Sequence, residues 1–209
     1  MPVRPLPIAV LISGSGRSLK NLIQRIEAGT LNATIRVVIS SNLKAGGLEF
    51  ARAAGIPTHI VERKQVRSDA EFSHEIFAPI LASGVNLVVM AGFIKLLPIP
   101  HEFENRVINI HPALIPNFCG QGFYGHHVHE AVIQAKAKTS GCTVHFVDNQ
   151  YDHGPIILQR SVPVQSADTP EALADRVFAA ELEALPAAID LIAAGRVKVD
   201  GQQVTISPS

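Results

Sequence analysis

The chain has 209 residues, 47% apolar and 17% charged, and its 18 basic and 18 acidic side chains cancel to zero. That apolar share suffices for one sizeable core, and with zero net charge nothing in the sequence looks like a nucleic-acid footprint or a polybasic membrane patch. Two tyrosines and no tryptophan argue against an aromatic base-stacking platform. Cys119 and Cys142 form no disulfide framework, so a cytoplasmic protein is expected.

Residues Met1 to Pro5 read as a short arm, and the apolar run Ile8 to Ile12 is too short for a membrane span but suits a central parallel strand. It enters Ser13-Gly14-Ser15-Gly16-Arg17, and a helical pattern follows to Ala28, stopped by Gly29. Strand, Gly-Ser loop and helix together offer backbone N–H groups to a phosphate. The loop is neither a full G-x-G-x-x-G nor a Walker loop, and a tight turn that needs glycine explains it equally well.

Thr34 to Ser40 predicts a second strand, Lys44 to Ala54 a short helix, and Pro57 to Val61 a third strand. Ser68 and Glu71 have capping-box spacing, which predicts a helix over Asp69 to Ala82 stopped by Gly84. Asn86 to Ala91 is a fourth buried strand. Strands alternating with helices predict an α/β fold: a Rossmann-like, mostly parallel sheet with helices on both faces. Ligands gather beyond the carboxyl ends of such strands, where strand order reverses. Ile94 to Leu97, with Pro98 and Pro100, forms a stiff apolar connection.

Val107 to Ile110 predicts a short buried strand carrying Asn109, with His111 at its end. In extended chain Asn109 and His111 project to the same side, and Pro112 halts the pairing. An amide and an imidazole side by side suit a carbonyl oxygen that becomes an oxyanion. Phe118 to His127 is a loop rich in glycine and aromatics, leading into a helix toward Ala137. Six of the nine histidines lie between 111 and 153. His127 and His129 lack i,i+4 spacing, however, and no Cys or carboxylate falls where zinc sites need one, so no metal is expected.

Gly141 to Val147 is strand-like and carries His145. The turn Asp148 to Pro155 offers two carboxylates, and either Asp148 or Asp152 could reach His111. A carboxylate there would raise the imidazole pKa and favour the charged ring. Pro155 to Val164 predicts a strand. Thr169-Pro170-Glu171 starts a long helix that ends at Gly195 with a kink at Pro186, and Val197 to Ile206 is a terminal hairpin. No linker or repeat interrupts 1–209, so a single domain is expected, with halves near 1–92 and 93–209.

The motifs I-S-G-S-G-R-S-L, A-G-F-I-K-L-L, N-I-H-P-A-L-I-P, G-C-T-V-H-F-V-D, Y-D-H-G-P-I-I-L-Q and D-T-P-E, in this order, resemble the folate-dependent glycinamide ribonucleotide formyltransferases of purine biosynthesis. The resemblance implies the formyltransferase fold and transfer of a formyl group from 10-formyltetrahydrofolate to the amine of glycinamide ribonucleotide. It implies a catalytic trio of Asn109, His111 and Asp152, the last because it precedes x-Gly-Pro. It places the nucleotide phosphate on the backbone of Ser13, Gly14, Ser15, Gly16 and Arg17, with Glu181 of the R-V-x-x-x-E helix on the nucleotide. Folate would lie against Phe93, Ile94, Lys95, Leu97 and the backbone from Val147, with His127 and His145 supporting. The partners implied are small molecules only, and the assembly a monomer or homodimer. Ile94 and Lys95 stand where Met and Arg are frequent, Arg17-Ser18 replaces Ser/Thr-Asn, and the loop 118–126 is long. A 10-formyltetrahydrofolate hydrolase on the same fold shares the trio. A non-catalytic nucleotide-binding module would not need it.

Overall fold

The computed structural model describes residues 4–208, which divide into two compact units between Ile108 and Asn109. Residues 1–3 of the expected arm lie outside the described residues. The sheet holds seven strands and is mostly parallel.

The first unit holds β1 (Leu6–Ile12), α1 (Arg17–Glu27), β2 (Ala33–Ser40), α2 (Gly47–Ala53), β3 (Thr58–Ile60), α3 (Asp69–Ala82) and β4 (Leu87–Met90). Strand β1 lies parallel to β2 on one side and to β4 on the other. All of Ile8–Ile12 is at 0% exposure, as an uninterrupted apolar run requires when both sheet faces are covered. The chain goes from β1 to β2 and β3, then returns to β4 on the far side of β1, so strand order reverses at β1/β4. Helix α2 begins three residues later than its pattern predicts. Helix α3 keeps its predicted span, because Ser68 Oγ accepts the Glu71 N–H at 3.1 Å. The Glu71 carboxylate accepts from Arg67 N at 2.7 Å, one residue before the amide a full capping box uses.

Strand β5 (Val107–His111) leads into the second unit, which holds α4 (His126–Gln134), β6 (Thr139–Phe146), β7 (Ile156–Pro163), α5 (Pro170–Ala193), β8 (Val197–Asp200) and β9 (Gln203–Ile206). Strand β7 is antiparallel to β6, and β8 and β9 form the expected hairpin as a separate sheet. Helix α5 packs on β6, β7 and α4 and runs through Pro186 as one helix. Its start is fixed by Thr169, whose hydroxyl accepts the Ala172 N–H, and by Asp168, which takes both terminal nitrogens of Arg176.

Candidate active site

The chemistry-bearing residues fall in both units. In the second unit, four polar side chains meet at the end of β5. His111 is 3% exposed, and its Nε2 lies 2.8 Å from the carbonyl oxygen of Phe118. A carbonyl only accepts, so Nε2 carries a hydrogen. Its Nδ1 lies 3.5 Å from Asp152 Oδ2. The other Asp152 oxygen is 3.7 Å from His145 Nε2, too long for a hydrogen bond. His145 Nδ1 donates to the Phe146 carbonyl at 2.8 Å, which leaves Nε2 to accept from Asn109 Nδ2 at 3.3 Å. Asn109, His145, Asp152 and His111 thus form one chain of neighbours in that order.

Local structure accounts for this convergence. The register of β6 on β7 shifts between Val144 and His145, and such a bulge re-aims the following side chain. Asp152 adopts φ 50°, a conformation that Asp tolerates better than most residues. Gly154 has no room for a Cβ, which would strike the carbonyl oxygen of Phe146, so the turn closes tightly on β6. Asp148 is spent within the turn, where it accepts from Gln150 N at 2.8 Å and pairs with His153 Nδ1 at 2.7 Å. Of the two carboxylates, Asp152 is the one at His111.

The charge balance corrects one expectation. Burial lowers the His111 pKa more than Asp152 and the Phe118 carbonyl raise it, and His145 lowers it further, so it lies below the ordinary 6.5. The resting ring is therefore neutral at neutral pH, and the carboxylate does not hold it charged. Burial pushes the Asp152 pKa up, but His145, His111 and the Gly120 N–H together outweigh it, and the carboxyl stays below its usual range.

Thr143 fixes the backbone that leaves His111. Its hydroxyl donates to the Ala113 carbonyl at 2.7 Å and accepts from Ile115 N at 3.1 Å and Gln159 Nε2 at 2.9 Å. Gln159 also donates to the Ile115 carbonyl at 2.9 Å. The hydrogen-bonding capacity of that hydroxyl is filled.

His127 is not brought to the ring. It is exposed, and its neighbours are Glu130 at 3.3 Å and the edge of Tyr124. Two residues on, His129 is 5% exposed and close enough to His111 to feel its charge. The buried stripe Val128, His129, Val132 of α4 was the sequence signal for it. Burial first, then His126 and His111, push the His129 pKa down to about 4, and its Nδ1 has no partner among the described residues. An unfolded histidine titrates near about 6.5. Above that pH both states are neutral. Between about 6.5 and 4 the unfolded chain takes up a proton that the folded one refuses, so stability is lost as pH falls through this window. The urea midpoint should drop between pH 7 and pH 5, and should drop less in His129→Gln; equal drops would assign the loss to other groups. Glu181, half-buried in α5, lies near Cys142, whose thiol is pushed up to about 12 by burial and then by that carboxylate.

In the first unit, the Gly-Ser loop and the Ala91-Gly92-Phe93 turn do meet. Ser13 N donates to the Gly92 carbonyl at 3.1 Å, and Ser13 Oγ accepts from Ile94 N at 3.2 Å and lies 2.6 Å from Ser41 Oγ. Ser13 is a brace, and an anion would meet the amides after it. Gly16 caps α1 at φ 73°, and a Cβ there would strike the Gly47 backbone where α2 begins, so the tight-turn reading of this glycine holds. No side chain caps α1 and no acid lies in its first turn, so its amino end keeps its positive character. A cavity of about 260 Å³ is lined by Ser41, Asn42, Arg63, Lys64, Ile94 and Lys95, among others. Phe93 and Leu97 belong to the core instead, at 6% and 2% exposure, with Phe93 stacked on Phe72. Ile94, Lys95 and Leu96 are the residues of this turn whose side chains are exposed.

Among the described residues no group of three His, Cys, Asp or Glu side chains is placed to hold a metal, and no helix is long and apolar enough to cross a membrane.

The family model described as formyl transferase matches residues 6–189. The trifunctional purine biosynthetic protein adenosine-3 of Gallus gallus is 41% identical over 92% of this chain, which spans only 19% of that relative's length. The phosphoribosylglycinamide formyltransferase of Escherichia coli (strain K12) is 34% identical over 94% of this chain and 95% of its own. Among solved structures, glycinamide ribonucleotide transformylase 1 from Symbiobacterium toebii superposes with a TM-score of 0.92 at 38% identity, covering 98% of this chain and 95% of its own.

Proposed function

Because this chain belongs to the formyl transferase family, we propose that it carries the formyl group of 10-formyltetrahydrofolate to the amine of glycinamide ribonucleotide, a step of purine biosynthesis. The observation that supports this chemistry is the chain of Asn109, His145, Asp152 and His111, in which an amide donor, two imidazoles and a carboxylate each lie within hydrogen-bonding or ion-pairing reach of the next. The name and full-length match of the Escherichia coli relative support the choice of amine acceptor.

The neutral amine attacks the formyl carbon directly, and no Ser or Cys nucleophile takes part. A carbon–nitrogen bond forms, and the formyl oxygen takes the negative charge. The Asn109 amide donates to that oxyanion. The former amine nitrogen now carries a surplus proton, which passes to the His111–Asp152 pair. The protonated ring adds its charge beside the oxyanion. The same proton then goes to the departing folate nitrogen as its bond to carbon breaks, leaving tetrahydrofolate and the formamide. Burial of His111 serves this cycle, since a ring that is neutral at rest is free to take the proton.

The nucleotide phosphate takes the amides after Ser13 at the uncapped start of α1, and Glu181 meets the rest of the nucleotide. Folate takes Ile94, Lys95 and the backbone from Val147. The unpaired thiols of Cys119 and Cys142 suit a cytoplasmic setting. The test is formyl transfer from 10-formyltetrahydrofolate to glycinamide ribonucleotide by the purified protein, with formate release followed in parallel. Formylated amine as the main product supports the reading. Formate that accumulates with or without the amine would assign the chain to the hydrolase alternative.

A further inference from the structure

We propose that Phe118 is a positioning residue whose backbone carbonyl fixes the proton of neutral His111 on Nε2, and so makes Nδ1 the nitrogen that handles protons in the reaction. The reactive half of this statement rests on the formyl-transfer reading above; the half about the ring does not.

The geometry separates the two ring nitrogens. The Nε2 contact to Phe118 is a good hydrogen bond at 2.8 Å, and only a protonated nitrogen can make it. At 3.5 Å from Asp152, Nδ1 lies outside ordinary hydrogen-bond range. In the neutral ring that nitrogen presents a lone pair toward a carboxylate, and the two do not bond. A proton arriving on Nδ1 converts this standoff into an ion pair. The bond made by one imidazole nitrogen decides which form the other takes, and the bond here comes from the loop, not from Asp152.

That loop is built to hold the carbonyl in place. Phe118 adopts φ 52°, uncommon for a bulky residue, and Gly120 adopts φ 92°. With this backbone the Phe118 carbonyl faces His111 while the Gly120 N–H donates to Asp152 Oδ2 at 2.9 Å. One three-residue segment therefore clips both members of the pair. Turns on either side brace it: Asn117 N donates to the Leu114 carbonyl at 3.0 Å, and Phe123 N to the Gly120 carbonyl at 3.1 Å. The Phe118 and Phe123 rings meet edge to face. The long aromatic loop, which sequence motifs left without a task, acquires one.

The test compares Phe118→Val with Phe118→Gly. Valine resists a positive φ and should swing the carbonyl away, whereas glycine accepts it and should keep the clip. In the unliganded wild type, nitrogen-15 spectra of the labelled imidazoles should show His111 protonated on Nε2 with a bare Nδ1. Phe118→Val should give mixed tautomers and lower kcat about tenfold, at the low end of what losing such an orienting partner costs, with KM nearly unchanged. Its kcat profile should titrate at lower pH, because the carbonyl raises the His111 pKa. The other titratable groups around the ring, Asp152, His145 and His129, are the same in both variants. Phe118→Gly should restore the wild-type tautomer, the pH profile and most of the rate. Urea unfolding checks that the valine variant is folded, and if it is not, the wild-type and glycine spectra alone decide. A wild-type His111 protonated on Nδ1, or a folded Phe118→Val with unchanged tautomer and pH profile, would overturn the proposal. The spectra need no turnover: a protein with the proton on Nε2 but no formyl transfer would sink the reaction and leave the ring assignment standing.

Discussion

Asp152→Asn should lower kcat for formyl transfer by about 10²–10⁴-fold, the range for removing a group that moves a proton in the transition state, while KM changes little. Asparagine keeps the size and the acceptor oxygen that meets Gly120 N–H, so the loop has no steric reason to leave. What disappears is the negative charge 3.5 Å from His111 Nδ1 and 3.7 Å from His145 Nε2. Without it nothing stabilises the proton that His111 takes from the attacking amine, and the His111 pKa loses its strongest upward pull. Asp148→Asn is the control. That residue caps its own turn and pairs with His153, so kcat should stay within about twofold, the ±0.5 kcal/mol scatter of changes outside special features. Steady-state kinetics of the two variants read the difference. Inactivity of the Asp148 variant beside a normal Asp152 variant would overturn the assignment.

Thr143→Val should destabilise the fold by about 2–3 kcal/mol, an unusually large loss for a change of nearly constant volume. The methyl groups fit the same space, so no cavity term enters. The cost comes from the polar atoms left behind. The Ala113 carbonyl, the Ile115 N–H and the amide of exposed Gln159 all use the one hydroxyl, which belongs to a residue at 0% exposure, and each partner stranded away from water costs about 1–3 kcal/mol before relaxation. Gln159 keeps its bond to the Ile115 carbonyl and recovers part of that loss. Urea unfolding should show a lower midpoint with an unchanged slope. Thr143→Ser, which keeps the hydroxyl and removes a methyl, should cost about 1 kcal/mol. The same pair of variants should differ in kcat, because the pinned backbone leads from His111 to Phe118.

The places where sequence reading succeeded share a cause. Strand β1 was visible because a parallel strand covered on both faces is apolar at every position. Helix α3 was visible because its cap residue and its period agree, and cap and period are local properties. Asn109 and His111 were legible as a pair because strand geometry alone sends positions two apart to one side. The places where it fell short share a cause too. Asp148 and Asp152 sit in one turn, and turn chemistry alone left both open; the family resemblance chose Asp152, and the path of the backbone through Asp152 at positive φ is what brings it to His111. His127 and His129 differ in which face of α4 is buried, and the polar residues flanking that stripe obscured its period.

The amino-acid order by itself determined the alternation of strands and helices, the family, and the stock of amide, imidazole and carboxylate from which the chemistry is drawn, because each follows from local period, spacing or residue identity. Only the tertiary structure decided the protonation of His111. That depends on how completely the ring is buried, on a carbonyl supplied by a loop in an uncommon backbone conformation, and on a carboxylate from a distant turn. Desolvation and hydrogen-bond geometry are properties of the folded surroundings, and no stretch of neighbouring residues encodes them.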